Sequence, residues 1–211
     1  MKIAVFGSTG KTGMQVVSQA LDAGYEVNAF VRDPKKMTIK HKNLTVTKGD
    51  VLVRESVDKA IKGAGAVMVA LGSRPDTKPT VLAEGTANII SSIKTHKVNR
   101  LIVQSSYALS GSPEGMARLK AQGMDEEKMK MVKPMIVDKI NQERKVRESG
   151  LDYVIVRPLA LTDGKRTGKY RVGEKLQVEF ESKVSRADVA DFMLKSLKDD
   201  KWIGKTVVLS Y

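Results

Sequence analysis

Two kinds of hydrophobic pattern alternate along the chain. Short apolar or β-branched runs occur at Ile3–Phe6, Val27–Val31, Leu44–Thr47, Ala66–Ala70, Leu101–Gln104, Tyr153–Val156 and Val207–Leu209. Between them lie stretches of helical period, near 11–23, 54–62, 80–96, 136–149 and 186–197. Short, near-continuous apolar runs predict strands covered on both faces, and their alternation with amphipathic helices predicts a parallel sheet between helical layers. The punctuation agrees. Gly24, Gly63 and Gly150 fall near predicted helix C-termini, and Arg157-Pro158 ends a strand. The expectation is one α/β domain over residues 1–211 with a doubly wound parallel sheet, since 211 residues do not require a second core.

One region breaks the rhythm. Ser110 to Pro134 holds Met116, Met124, Met129 and Met131, together with Leu119 and many charges. Methionines of this kind are usually flexible core filler. Their place after the carboxyl end of a strand, where open α/β sheets bind ligands, makes residues 110–134 a candidate substrate lid.

The richest local signal follows the first strand. Gly7-Ser8-Thr9-Gly10-Lys11-Thr12-Gly13 spaces glycines as G-x-x-G-x-x-G ahead of a helical segment from Met14. Such a strand, turn and helix N-terminus can cradle a pyrophosphate. The glycines allow a tight turn and close backbone approach, and the helix offers unpaired N–H groups and its positive end. The same spacing also marks ordinary strand-to-helix turns, and its position as the first βα turn of a repeating chain favours the dinucleotide reading. A nucleotide-hydrolysing P-loop is excluded, because the glycine it needs would fall at Val5.

The second predicted strand ends at Val31-Arg32-Asp33. A carboxylate at this point favours NAD, whereas Arg32 in its place can pair with a 2′-phosphate, so NADP is expected over NAD. Ser8, Thr9 and Lys35 or Lys36 are candidate helpers, and Asp33 is expected to point away. After the third strand, Asp50 is expected at the adenine amino group with Val51 flanking the ring, although an aspartate here also suits a turn or helix cap. After the fourth, Leu71-Gly72-Ser73-Arg74 is expected to pass beneath pyrophosphate and ribose.

Composition narrows the alternatives. The net charge of +13 comes from 37 basic and 24 acidic residues that are interleaved. Without an aromatic-basic stripe this reads as a solvated surface that attracts anions, not as a nucleic-acid face. With no cysteine there is no disulfide, thiolate metal site or cysteine nucleophile. His41 and His96 lack metal spacing and are expected at the surface, and no metal is expected. No run of about 18 apolar residues exists to span a membrane. The start lacks the long apolar region of a secretory signal, so a cytoplasmic location is expected, as a monomer or weak homo-oligomer.

Together GSTGKTG, GYEVNAFVRD, GDV, LGSRPD, the EGTANII helix and RESGLDYVIVRP resemble the atypical short-chain dehydrogenase/reductase group. The likeness is to its flavin reductase/biliverdin-IXβ reductase family and to the NAD(P)H-binding, NmrA-like reductases. LTDGKRTGKYRV and VSRADVADFM are more similar to the bacterial NAD(P)H-binding branch. The resemblance spans almost the whole chain. It implies a Rossmann fold, NADPH, and hydride transfer to a planar acceptor such as a flavin, quinone or linear tetrapyrrole.

The departures are chemical. In the Tyr-x-x-x-Lys pair of ordinary members, the lysine position matches Lys139, but Met135 stands where the proton-donating tyrosine would be, and a thioether donates no proton. The serine that lies beside the nicotinamide in the flavin/biliverdin reductases matches Ser106, the candidate catalytic residue. The histidine after the sixth strand is replaced by Leu159. Ser105, Lys139 and Pro158 complete the expected cofactor contacts, and the acceptor is expected against Ser73, Ser106, Tyr107, Pro158 and Leu159. For Ser105 and Ser106, hydrogen bonding of the strand end is the plainer alternative. A second reading, a non-catalytic NAD(P)H-sensing module that binds a partner, follows from the missing tyrosine and the methionine-rich segment.

Overall fold

A computed structural model describes residues 1–73, 78–179 and 181–211. In chain order the elements are β1 (Lys2–Phe6), α1 (Lys11–Asp22), β2 (Glu26–Val31), β3 (Leu44–Lys48), α2 (Arg54–Ile61), β4 (Ala66–Val69), α3 (Val81–Thr95) and β5 (Arg100–Gln104). There follow α4 (Pro113–Ala121), α5 (Glu126–Arg147), β6 (Asp152–Pro158), β7 (Ala160–Thr162), β8 (Arg171–Gly173), β9 (Lys183–Ser185), α6 (Arg186–Lys195) and β10 (Lys205–Ser210).

The main sheet runs β3-β2-β1-β4-β5-β6-β10-β8. Its pairings are parallel except for β8, which runs antiparallel to β10. The strands β7 and β9 form a separate parallel pair. All seven predicted strands and a helix for each of the five predicted helical stretches are present, in a Rossmann-like single domain.

Strand alternation explains the two layers. Ile3 and Val5 of β1 join one buried cluster with Val16, Val17 and Ala20 of α1 and Val189, Phe192 and Met193 of α6. Ala4 and Phe6 point the other way, to Val57 and Ile61 of α2, Ile89 and Ile93 of α3 and Val146 of α5. A strand with apolar residues on both faces can only sit between two such layers. The order reverses between β1 and β4, which opens a crevice at the carboxyl ends of the central strands.

Most of the region 110–134 is helical, formed by α4 and the first turns of α5. Ser112 caps α4 by accepting from Gly115 N at 3.1 Å, with Pro113 in its first turn. Asp125 caps α5 by accepting from Lys128 N at 2.8 Å, and Glu126 and Glu127 complement the helix dipole. The fourth predicted helix, α5, therefore begins ten residues before position 136, with Pro134 inside it. The period alone places this helix near 136–149, beyond Pro134, but the Asp125 cap and the acidic first turn outweigh one lost backbone bond. His96 is also not simply at the surface. It is half-buried, with Nε2 3.7 Å from Asp58.

Candidate active site

The glycine turn is built by exclusion. Gly7 has φ +78°, and a Cβ there would lie 2.3 Å from the Ala70 carbonyl oxygen. A Cβ on Gly13 would lie 2.1 Å from the Gly7 carbonyl oxygen, so this glycine serves the approach of α1 to β1. Gly10 is different. It has ordinary φ, closes the turn through Gly10 N to Gly7 O at 2.9 Å, and lines the crevice. As the cap of α1 it brings no side-chain hydrogen bond, and the first turn carries no acidic residue. The start of α1 therefore has no side-chain cap, an arrangement chemically suited to an anion.

A cleft of about 480 Å³ runs along the strand ends, within the range of small-molecule and cofactor sites. Its walls include Gly7, Thr9, Gly10, Lys11, Thr12, Arg32, Asp50, Val51, Leu71, Gly72 and Ser73, all expected cofactor residues. Arg32 is exposed and makes no hydrogen bond or ion pair among the described residues. Asp33 is turned to the backbone, where its Oδ1 accepts from Lys35 N at 3.0 Å. Asp50 Oδ1 accepts from Leu52 N at 2.9 Å, and Val51 packs against Gly85.

Other expected contacts lie elsewhere. Ser8 is fully buried, its Oγ donating to the Phe30 carbonyl at 2.7 Å, so its hydroxyl ties β1 to β2 and does not line the cleft. Gly13 is packing, as above. Arg74 lies outside the described residues. Lys139 lines neither this cleft nor the cavity beside it. Its Nζ donates to the Gln104 carbonyl at 3.3 Å and to Gln142 Oε1 at 3.0 Å. Burial pushes this ammonium down to about 8, against the opposing pull of Glu143 and Asp138.

A second cavity of about 260 Å³ adjoins, lined by Ser105, Ser106, Arg118, Gln122, Pro158, Leu159, Leu161 and Arg186 among others. It unites Ser106, Pro158 and Leu159 as expected. Ser73 lies instead in the cleft, and Tyr107 lines a separate groove with Ala117, Leu176 and Gln177. Ser106 Oγ accepts from Leu109 N at 3.3 Å. Ser105 donates its Oγ to the buried Glu143 at 2.6 Å. That carboxylate also receives Arg157 Nε at 2.9 Å and Nη2 at 2.6 Å, and Arg147 Nη2 at 2.5 Å. Arg118 donates to the carbonyls of Glu179 and Ser182, each at 2.8 Å, tying α4 to the segment before β9.

Arg186 lines both cavities and pairs with Asp163, which also receives Lys11 Nζ at 2.6 Å. These two cations hold the Asp163 carboxyl below its usual range. Sequence reasoning missed Arg186, although VSRADVADFM carried a signal. Ser185 caps α6, accepting from Asp188 N at 2.9 Å, which places Arg186 on the first turn at the crevice. Gln104 was also missed, being read as the end of an apolar run.

A family model described as NAD(P)H-binding matches residues 7–200. The chain belongs to the NAD(P)H-binding family. It is 30% identical over 217 residues to an uncharacterized chloroplastic protein of Arabidopsis thaliana, covering 98% of this chain and 75% of that one. A protein of Aspergillus terreus named reductase pytE is 26% identical over 261 residues, covering 99% and 97%. Among solved structures, ChuY, an anaerobillin reductase from Escherichia coli O157:H7, superposes with a TM-score of 0.80 at 22% identity, covering 99% and 96%, a likeness of fold. The atypical short-chain dehydrogenase/reductase grouping stands with these matches. The residues present fit a nicotinamide dinucleotide, since the α1 N-terminus without a side-chain cap and the side-chain-free Gly10 could admit a pyrophosphate. No helix among the described residues is long and apolar enough to cross a membrane.

Proposed function

We propose that the protein is an NADPH-dependent reductase whose acceptor is planar and electron-poor, such as a flavin, a quinone or a linear tetrapyrrole. One observation carries the reading: the dinucleotide cleft and the second cavity meet at the adjacent residues Gln104 and Ser105 and share Arg186. A cofactor lying along the strand ends from Arg32 would bring its nicotinamide to that junction and supply hydride to a ring beside Ser106.

The chain's own groups bind, orient and exclude water. Arg32 takes the 2′-phosphate, a charge-assisted contact that an NADH site lacks. The amides that open α1 take the pyrophosphate. Ser106 orients the acceptor or the nicotinamide amide, while Pro158 and Leu159 shield the ring. Met135 supplies no proton, so the reaction is one in which water suffices as the proton source, as for flavins and quinones. The names of pytE and ChuY, both reductases, support the class. Residues 110–134 contribute Arg118 and Gln122 to the acceptor cavity, in keeping with a cover over it.

The test is loss of reduced-nicotinamide absorbance with NADPH against FMN, quinones, biliverdin isomers and simple ketones. Turnover with one or more planar acceptors and none with ketones is expected. Robust ketone reduction overturns the absence of a proton donor. Tight NADPH binding without turnover on any planar acceptor points instead to the sensing module that Met135 also suits.

A further inference from the structure

We propose that Gln104 is a binding residue for the nicotinamide-side ribose of the dinucleotide, accepting a hydrogen bond from a ribose hydroxyl. The proposal rests on the cofactor reading above and adds a contact to it. Gln104 closes β5 and is one of the residues lining the dinucleotide cleft. Its Oε1 is buried and has no hydrogen-bond partner. A desolvated amide oxygen left unmade is a cost that folded proteins rarely carry without a use for it. The neighbouring cation does not relieve it, since Lys139 Nζ donates to the main-chain carbonyl of Gln104 and to Gln142.

The chemistry of the orphan selects its ligand. A carbonyl oxygen accepts, so a phosphate or carboxylate, which also accepts, is repelled, while a hydroxyl or amide N–H is drawn in. Position decides which part of the dinucleotide this is. Arg32 ends β2, the glycine turn follows β1, and Leu71 to Ser73 follow β4. Gln104 on β5 is the next station across the sheet, one residue short of the serines that line the acceptor cavity. The ribose joins pyrophosphate to nicotinamide, so its hydroxyls fall at this step, before the ring.

The test uses the whole protein and calorimetric affinities for NADPH, 2′-phospho-ADP-ribose and 2′,5′-ADP. The second ligand keeps the distal ribose and lacks nicotinamide; the third lacks both. The variants are Gln104→Leu and the unbranched Gln104→Met. Each is expected to weaken NADPH and 2′-phospho-ADP-ribose about tenfold, the scale of one neutral hydrogen bond, and to leave 2′,5′-ADP unchanged. Ligand-free melting temperatures at or above that of the wild type are expected too, because an unsatisfied polar group has been removed. Unchanged affinities for all three ligands, or equal losses for all three, overturn the proposal. A loss confined to NADPH overturns the ribose assignment and moves the contact to the carboxamide. If the wild type binds none of the three, the cofactor reading itself falls.

Discussion

The two ends of the strand-end crevice are built by different means. Over β1 to β3 the walls include a glycine turn, the start of α1 with no side-chain cap, and the exposed Arg32. Beneath β5 and β6 the support is a buried polar network. Glu143 gathers Ser105, Arg147 and Arg157, while Asp138 accepts from Leu82 N and Ala83 N, both at 2.9 Å, and so caps α3 from another helix. Gln142 links Lys139 to Thr86. Backbone can hold a phosphate that every dinucleotide shares, whereas buried side chains fix a surface to one geometry at the risk of large loss when any partner is removed.

Breaking the network tests that contrast most severely. Glu143→Ala is expected to cost about 3–5 kcal/mol in chemical denaturation, because Arg157 and Ser105 lose their shared buried acceptor. A loss under about 1 kcal/mol would mean that the network is dispensable.

Lys139 gives the same region a pH signature. Its folded value near 8 lies below the ordinary 10.5, so the unfolded chain binds the extra proton between those values. Stability should therefore gain on the order of 3 kcal/mol from this residue as pH rises from about 8 to 10.5, the burial cost being fully present below 8. Lys139→Met should remove that slope, as read from unfolding free energies across the range. An identical slope in the variant would contradict the assignment.

On the backbone side, the expected damage is to binding. Gly10→Val places a branched side chain in the pyrophosphate path, with only the Gly7 carbonyl oxygen near its Cβ, at 3.2 Å. NADPH affinity should fall about a hundredfold, roughly 2.7 kcal/mol, while thermal melting drops by only a few degrees. Unaltered affinity in the folded variant would refute the phosphate cradle.

Arg32→Ala should have the smallest effect. An NADPH preference over NADH of about tenfold, on the order of 1.4 kcal/mol, should largely vanish with NADH affinity nearly unchanged. Equal wild-type affinities for the two cofactors would remove the role given to Arg32.

The same division governs what could be read from the chain. The strands and the cleft residues from Gly7 to Ser73 follow from period, glycine spacing and strand ends, all of them local. Ser8 misled because sequence places it in the turn but cannot show its hydroxyl turning back to Phe30. Helix α4 and the first turns of α5 had visible caps in Ser112-Pro113 and Asp125-Glu126-Glu127, but Pro134 and the charge-rich composition masked them. Glu143 and Arg157 lie 14 positions apart and Gln142 and Thr86 lie 56 apart, so nothing in the local pattern announces their partnership. Gln104 carries no pattern at all, and only its burial without a partner marks it.

The central claim is that hydride leaves a bound nicotinamide for an acceptor at the Ser105–Ser106 junction. Single-turnover oxidation of NADPH deuterated separately on each face of the nicotinamide C4, with FMN or a quinone as acceptor, tests it most directly. A primary isotope effect is expected for one face only, with deuterium carried by the displaced hydride, because the cavity lined by Ser105 and Ser106 adjoins the cleft there. Equal rates for both labels with rapid oxidation, or tight binding with no oxidation at all, would contradict it.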